Sequence, residues 1–200
     1  MEDNRLAAGG RPVATTQMDV TLTHNYRHRW LFSRTRSEKL MTVLHCVGAV
    51  SPDAKVLVIG PRNEAEILLL ACYGFRPRNI TGVDLFTYSP RIRAMDMHKM
   101  AFADDAFDVV FVSWVLKYAY DLPRACREIV RVVRPGGVVA VGYTQTVSTS
   151  AIVGQDAELA GGLSEMHEKF APYVDHVYWQ ETDPAGEGNH RVTSIFRVKK

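Results

Sequence analysis

Short β-branched apolar runs alternate with amphipathic ones along the middle of this chain, and the two periods predict its elements. Val56 to Ile59, Ile80 to Leu85, Asp108 to Ser113 and Val138 to Tyr143 are largely unbroken apolar runs. That is the pattern of parallel strands covered on both faces. Asn63 and Glu66 have helix-start spacing, and a helix from Glu64 to Tyr73 is predicted to end at Gly74. Asp121 predicts the cap of another helix running through Val133, stopped by Arg134-Pro135-Gly136-Gly137. Thr35 and Glu38 have capping-box spacing for an earlier helix with Leu40, Val43, Leu44 and Val47 on one face. The segment 86–95 contains Ser89-Pro90 and has no room for a full crossover helix, so a very short third strand ending at Asp96 is expected. The tail predicts a helix around Leu163 to Phe170. An antiparallel hairpin then pairs Val174 to Gln180 with Arg191 to Val198 across a glycine-containing loop at 183–189. Alternating strands and helices followed by a hairpin argue for an open, mostly parallel α/β sheet. Such sheets bind ligands outside the C-terminal ends of their strands.

Composition narrows this only slightly. The 200 residues suit one domain, with a loose arm over 1–21 and a single unit over 22–200. That unit divides into an N-terminal helical segment (22–50), a core (55–143), and a C-terminal helix and hairpin (144–200). A formal net charge of +2 gives no reason to expect a nucleic-acid partner. Cys46, Cys72 and Cys126 lie in helix-like segments without close pairing, which reads as buried free thiols in a reducing compartment. The acidic start resembles no signal peptide, and no apolar run reaches the length of a membrane span. A cytoplasmic protein is the expectation; a homo-oligomer stays open.

The chemistry concentrates at the ends of the predicted strands. Gly60 follows the first strand and precedes a helix, so a ligand can approach its backbone, and the helix N-terminus suits a carboxylate or phosphate. The alternative is a plain turn. Asp84 ends the second strand, at a distance from the glycine that suits an acceptor for a ribose diol. Asp96 can accept from an exocyclic adenine amine while Met97 packs on the ring face. Asp108 starts its strand, which assigns it a structural role. His98 reads as a hydrogen-bonded or surface histidine rather than a base. Asp96 and His98 are too few ligands for a metal, and none is expected.

The ordered set Val56-Leu57-Val58-Ile59-Gly60, Gly82-Val83-Asp84, Asp96-Met97, Phe102 to Val110, and Leu122 to Gly137 resembles the class I S-adenosylmethionine-dependent methyltransferases. The resemblance covers residues 50–143 well, the tail loosely, and the first fifty residues hardly at all. It implies a Rossmann-like sheet of seven strands, one of them antiparallel near the C-terminus, with helices on both faces. It implies S-adenosylmethionine as cofactor and S-adenosylhomocysteine as product. Gly60, with Pro61 and Arg62, would cradle the methionine end. Asp84, with Leu85 beside it, would hold the ribose, and Asp96 and Met97 the adenine. Ser113 and Trp114 would face the sulfur or the substrate.

The glycine loop departs from the family. An acid usually stands two positions before the first glycine, and two more glycines follow; this chain has Val58, Arg62 and Glu64 there. Arg62 offers a charge-assisted fork for the cofactor carboxylate. Methyl transfer from a sulfonium is an in-line displacement that alignment alone can accelerate, so no catalytic base is assigned. Tyr118, Tyr143 and Trp30 are candidates on the substrate side, with packing roles as their alternative. The implied activity is methyl transfer to a small-molecule acceptor. The other reading is a methyltransferase-like binding or scaffold protein without catalysis. A nicotinamide oxidoreductase would require a Gly-x-Gly-x-x-Gly loop, which the residues after Gly60 do not provide.

Overall fold

The computed structural model describes residues 23, 26, 27, 36–61, 63–145, 168–186 and 189–200. The predicted arm over 1–21, Trp30, Arg62, the capping residue Thr35 and most of the helix expected around 163–170 lie outside them.

Seven strands form one sheet in the order β3-β2-β1-β4-β5-β7-β6. They are β1 (Val56–Ile59), β2 (Ile80–Asp84), β3 (Ile92–Ala94), β4 (Phe107–Ser113), β5 (Val133–Gln145), β6 (Val174–Gly186) and β7 (Asn189–Val198). β1 to β5 pair in parallel, and β7 runs antiparallel to both β5 and β6. This is the Rossmann-like sheet expected, including its one antiparallel strand.

The period-2 alternation within each strand divides the core. Val56, Val58, Val109, Phe111 and Ala140 face α1 (Arg36–Val47) and α2 (Glu64–Cys72). Leu57, Ile59, Val110, Val112 and Val141 face α3 (Leu122–Val132). Helices therefore cover both faces, and a register slip of one residue would exchange the two sets. Leu40 and Leu44 are buried as predicted, and Met41 joins them. The Asn63 side chain accepts from the Glu66 amide, and the chain leaves α2 through Gly74 at φ 97°. Asp121 caps α3 by accepting from the Arg124 amide.

Several boundaries differ from expectation. Arg134-Pro135-Gly136-Gly137 does not simply stop a helix. α3 ends at Val132, and these residues form an irregularity inside β5, between the pairs Phe107↔Val133 and Val109↔Val138. The bulge tolerates the proline and the positive φ of Gly136 because the ladder is locally interrupted there. β3 lies two residues before Asp96 instead of ending on it, and Asp96 instead bridges to Lys99. The hairpin strands extend through Gly186 and from Asn189, into the segment expected to be loop. Cys126 is buried, but Cys46 and Cys72 are exposed, because they sit on the outer faces of their helices.

Arg131 pins the turn after β3. Its guanidinium donates to Glu128, Asp104 and the carbonyls of Met100 and Phe102, and these bonds hold its pKa above the usual arginine range. Replacing Arg131 with methionine is expected to cost about 2 kcal/mol in urea denaturation, because partly buried carbonyls lose a charged donor. Asp108 has the structural role assigned to it: it accepts from the Lys55 amide and pairs with Arg134.

Candidate functional site

The strand order reverses between β1 and β4, since the chain passes from β1 outward to β2 and β3 before returning to β4. The C-terminal edge there carries Asp96 beyond β3, Asp84 on β2, Gly60 after β1, Ser113 and Trp114 at the end of β4, and Tyr143 near the end of β5. Neighbouring strands lie about 4.8 Å apart, so the edge from β3 to β4 spans roughly 14 Å. That suits an extended nucleoside with an amino-acid tail.

Gly60 has φ 67°, a conformation that disfavours any side chain. Its amide donates to the Val83 carbonyl at 2.8 Å, which ties the loop to β2. A Cβ here would lie 2.4 Å from the Val115 side chain, so a residue after β4 packs directly on the Gly60 backbone. Pro61 is buried beside it and lies near the position a Cβ on Gly82 would take.

Asp84 accepts from the Phe86 amide at 3.4 Å, and its backbone carbonyl accepts from Met95, joining β2 to the residue before Asp96. Burial pushes its carboxyl up to about 6; the Phe86 and Leu85 amides oppose this, and Glu66 adds to it. Leu85 is half-buried next to it.

Asp96 is buried, with both oxygens engaged. Oδ1 accepts from the His98 amide at 2.9 Å and lies 2.5 Å from His98 Nδ1; Oδ2 accepts from the Tyr120 hydroxyl at 2.9 Å. Burial works against the charge, but these hydrogen bonds outweigh it and hold the carboxyl below the usual range. Met97 is buried on the α3 side of the sheet.

Trp114 has φ 56°, a conformation uncommon for a bulky residue and often found at functional sites. Its amide donates to the Gly142 carbonyl at 2.7 Å. The indole lies where a Cβ on Gly142 would be, beside Leu40, and so packs on the α1 face. Ser113 Oγ is 2.7 Å from Ser37 Oγ, which donates to Glu66 at 3.0 Å. This hydrogen-bonded chain links β4, the first turn of α1 and the first turn of α2 across the switch point. Tyr143 is buried, with no hydrogen-bond partner for its hydroxyl among the described residues. Burial pushes its pKa to about 12, so the phenol stays protonated. Tyr118 is half exposed, with Lys117 over its ring.

Ser37, Glu66 and Tyr120 escaped sequence reasoning. Partners separated by 29, 76 and 24 positions leave no local signal. Only the capping role of Glu66 was visible. Among the described residues no cluster of three or more His, Cys, Asp or Glu could hold a metal ion, and no helix is long and apolar enough to cross a membrane.

Residues 57–141 match the methyltransferase domain family. Among curated proteins, the chain is 44% identical over 50 residues to a malonyl-[acyl-carrier protein] O-methyltransferase of Halorhodospira halophila, over 25% of this chain and 17% of that protein. It is 45% identical over 123 residues to the sterol 4-C-methyltransferase strm-1 of Caenorhabditis elegans, over 53% of this chain and 37% of that one. These matches therefore span well under half of either relative. Of solved structures, the N-methyltransferase NodS of Bradyrhizobium japonicum with S-adenosyl-L-homocysteine superposes with a TM-score of 0.63 at 19% identity, over 90% of this chain and 99% of that one. A [4+2]-cyclase, SpnF, also superposes with a TM-score of 0.63, at 15% identity over 81% of each chain. Likeness at this level establishes the fold; the reaction has to be argued from the site.

Proposed function

We propose, on the premise that residues 57–141 belong to the methyltransferase domain family, that this protein transfers a methyl group from S-adenosylmethionine to a small-molecule acceptor. The observation that carries this reading is the row of Asp96, Asp84, Gly60 and Ser113 along consecutive neighbours of one sheet edge. Asp96 would take the adenine amine, Met97 the ring face, Asp84 the ribose hydroxyls, and the Gly60–Pro61 backbone with Arg62 the amino-acid end. When bound, the cofactor supplies a methyl group on a positively charged sulfur. Held there, it would offer that methyl to the acceptor's lone pair and leave as the neutral thioether, with any acceptor proton going to solvent.

The chain's own part is alignment. The Tyr143 hydroxyl, buried and without a partner among the described residues, would donate to the acceptor, and Tyr118 would flank the mouth. Trp30 is a third substrate-side candidate. The relatives include a malonyl-[acyl-carrier protein] O-methyltransferase and a sterol 4-C-methyltransferase, and the sterol enzyme supports an acceptor of that class.

One observation favours a second reading, a binding or scaffold protein without catalysis. Val115 packs on Gly60 at the point where the methionine end would lie, and Val58, Arg62 and Glu64 replace the usual acid and glycines. Calorimetric titration with S-adenosylmethionine and S-adenosylhomocysteine, followed by methyl transfer to a panel of metabolites, separates the two. Micromolar binding with turnover supports the enzyme. No binding to either ligand refutes it.

Cofactor affinity should depend on pH through Asp84. A ribose diol donates to the carboxylate, so binding requires ionisation of a group lying near 6. Affinity for S-adenosylhomocysteine is expected to fall about tenfold between pH 8 and pH 5. A flat profile in calorimetry would remove Asp84 from the site.

A further inference from the structure

We infer that Tyr120 and His98 are positioning residues that make Asp96 selective for a 6-amino purine. The inference rests on the reading of Asp96 as the adenine acceptor.

A carboxylate offers about four acceptor positions. On Oδ1, the His98 amide at 2.9 Å and His98 Nδ1 at 2.5 Å take both. On Oδ2, the Tyr120 hydroxyl at 2.9 Å takes one. Among the described residues nothing takes the fourth position, which lies on Oδ2. His98 Nε2 accepts from the Asp121 amide at 3.4 Å, so Nδ1 carries the proton and donates to Asp96. The ring is fully packed at 3% exposure, and the Arg124 guanidinium donates to the His98 carbonyl. Tyr120 stacks on this fixed imidazole with centroids 3.6 Å apart and planes at 24°. The stack aims a half-exposed phenol at Oδ2 without needing its own burial.

These contacts hold the carboxylate ionised and unable to rotate, with a single acceptor position on offer. An exocyclic amine satisfies it with one N–H. A purine with a carbonyl oxygen at that position brings oxygen against oxygen, and a site built for a donor rejects such an analogue strongly. Losing the Tyr120 hydroxyl frees a second position on Oδ2 and lets water solvate the carboxylate, so discrimination should fall while the fold persists.

The test is calorimetric binding of S-adenosylhomocysteine and of S-inosylhomocysteine, which has carbonyl oxygen in place of the amine. Wild type, Tyr120→Phe and Asp96→Ala are compared, with thermal denaturation of each. The wild type is expected to prefer the adenine ligand by roughly 100-fold or more, and Asp96→Ala to lose that preference. Tyr120→Phe, which keeps the stack, is expected to bind S-adenosylhomocysteine about tenfold more weakly. Its affinity for S-inosylhomocysteine and its Tm should change little, so the ratio collapses. Equal weakening of both ligands, or an unchanged ratio, would mean that Tyr120 is only packing and would overturn the inference while leaving the Asp96 assignment intact. A wild type without preference, or Asp96→Ala keeping it, would remove the adenine assignment and the inference together. His98→Asn adds a check: its amide can still donate to Oδ1, but the ring that Tyr120 stacks on is gone, so discrimination should fall there as in His98→Ala; full discrimination in His98→Asn would overturn the role of the stack.

Discussion

Asp84→Asn is expected to weaken cofactor binding by roughly 2–4 kcal/mol, the loss of two hydrogen bonds to a charged acceptor, and at the same time to stabilise the empty protein. The second effect follows from burial. The carboxyl lies near 6 in the folded chain, against about 4 when unfolded. The folded state thus holds the proton more tightly than the unfolded state. Its stability is greatest below pH 4, falls as pH rises to about 6, and above that carries a constant cost of about 3 kcal/mol. Asparagine escapes that cost. Urea denaturation should therefore give wild type and Asp84→Asn similar stability at pH 4 and separate them by pH 8, with the variant the more stable. Coincident curves at pH 8 would show that the carboxylate is not strained by burial. Stability withheld from the empty protein is available to a ligand that donates to the charge, and a ribose diol does that.

The second large effect is at Gly60. Introducing valine is expected to abolish cofactor binding and to destabilise the fold by about 4 kcal/mol. Part of this is a β-branched residue at φ 67° and part is collision with Val115. The structure changes the reason for this expectation. From sequence, the missing side chain left room for a ligand. In the fold, a protein side chain already lies 2.4 Å from the position a Cβ would take. Gly60→Ala combined with Val115→Ala should recover much of the stability and leave about 1 kcal/mol of backbone strain. If that pair binds S-adenosylhomocysteine while Gly60→Val does not, the contact with Val115 is the cause. Wild-type stability and affinity in Gly60→Val would contradict the geometry altogether.

The sheet was legible because burial on both faces leaves a strong local trace. β1, with its four consecutive buried residues, had the same bounds in both views. The caps Asn63 and Asp121 were equally legible, since capping joins residues three apart. Boundaries failed where tertiary pairing overruled local propensity. β4 holds Val133 in register opposite Phe107, and the Pro-Gly-Gly stretch survives in β5 as a bulge instead of a terminator. The hairpin grew for the same reason, because each strand of β6 and β7 supplies the other's hydrogen bonds.

By itself the sequence determined the fold class, the strand ends that carry acids, and the order Gly60, Asp84, Asp96, Ser113 along the chain. These depend on period and spacing, which are local. Only the tertiary structure decided what each group meets: Val115 on Gly60, Ser37 between Ser113 and Glu66, His98 and Tyr120 on Asp96. It also decided that Trp114 turns toward α1 and that the Tyr143 hydroxyl is buried with no partner among the described residues. The physical reason is that hydrogen bonding and close packing are set by distance in space. Residues far apart in sequence share that distance only after the sheet has brought its strand ends to one edge.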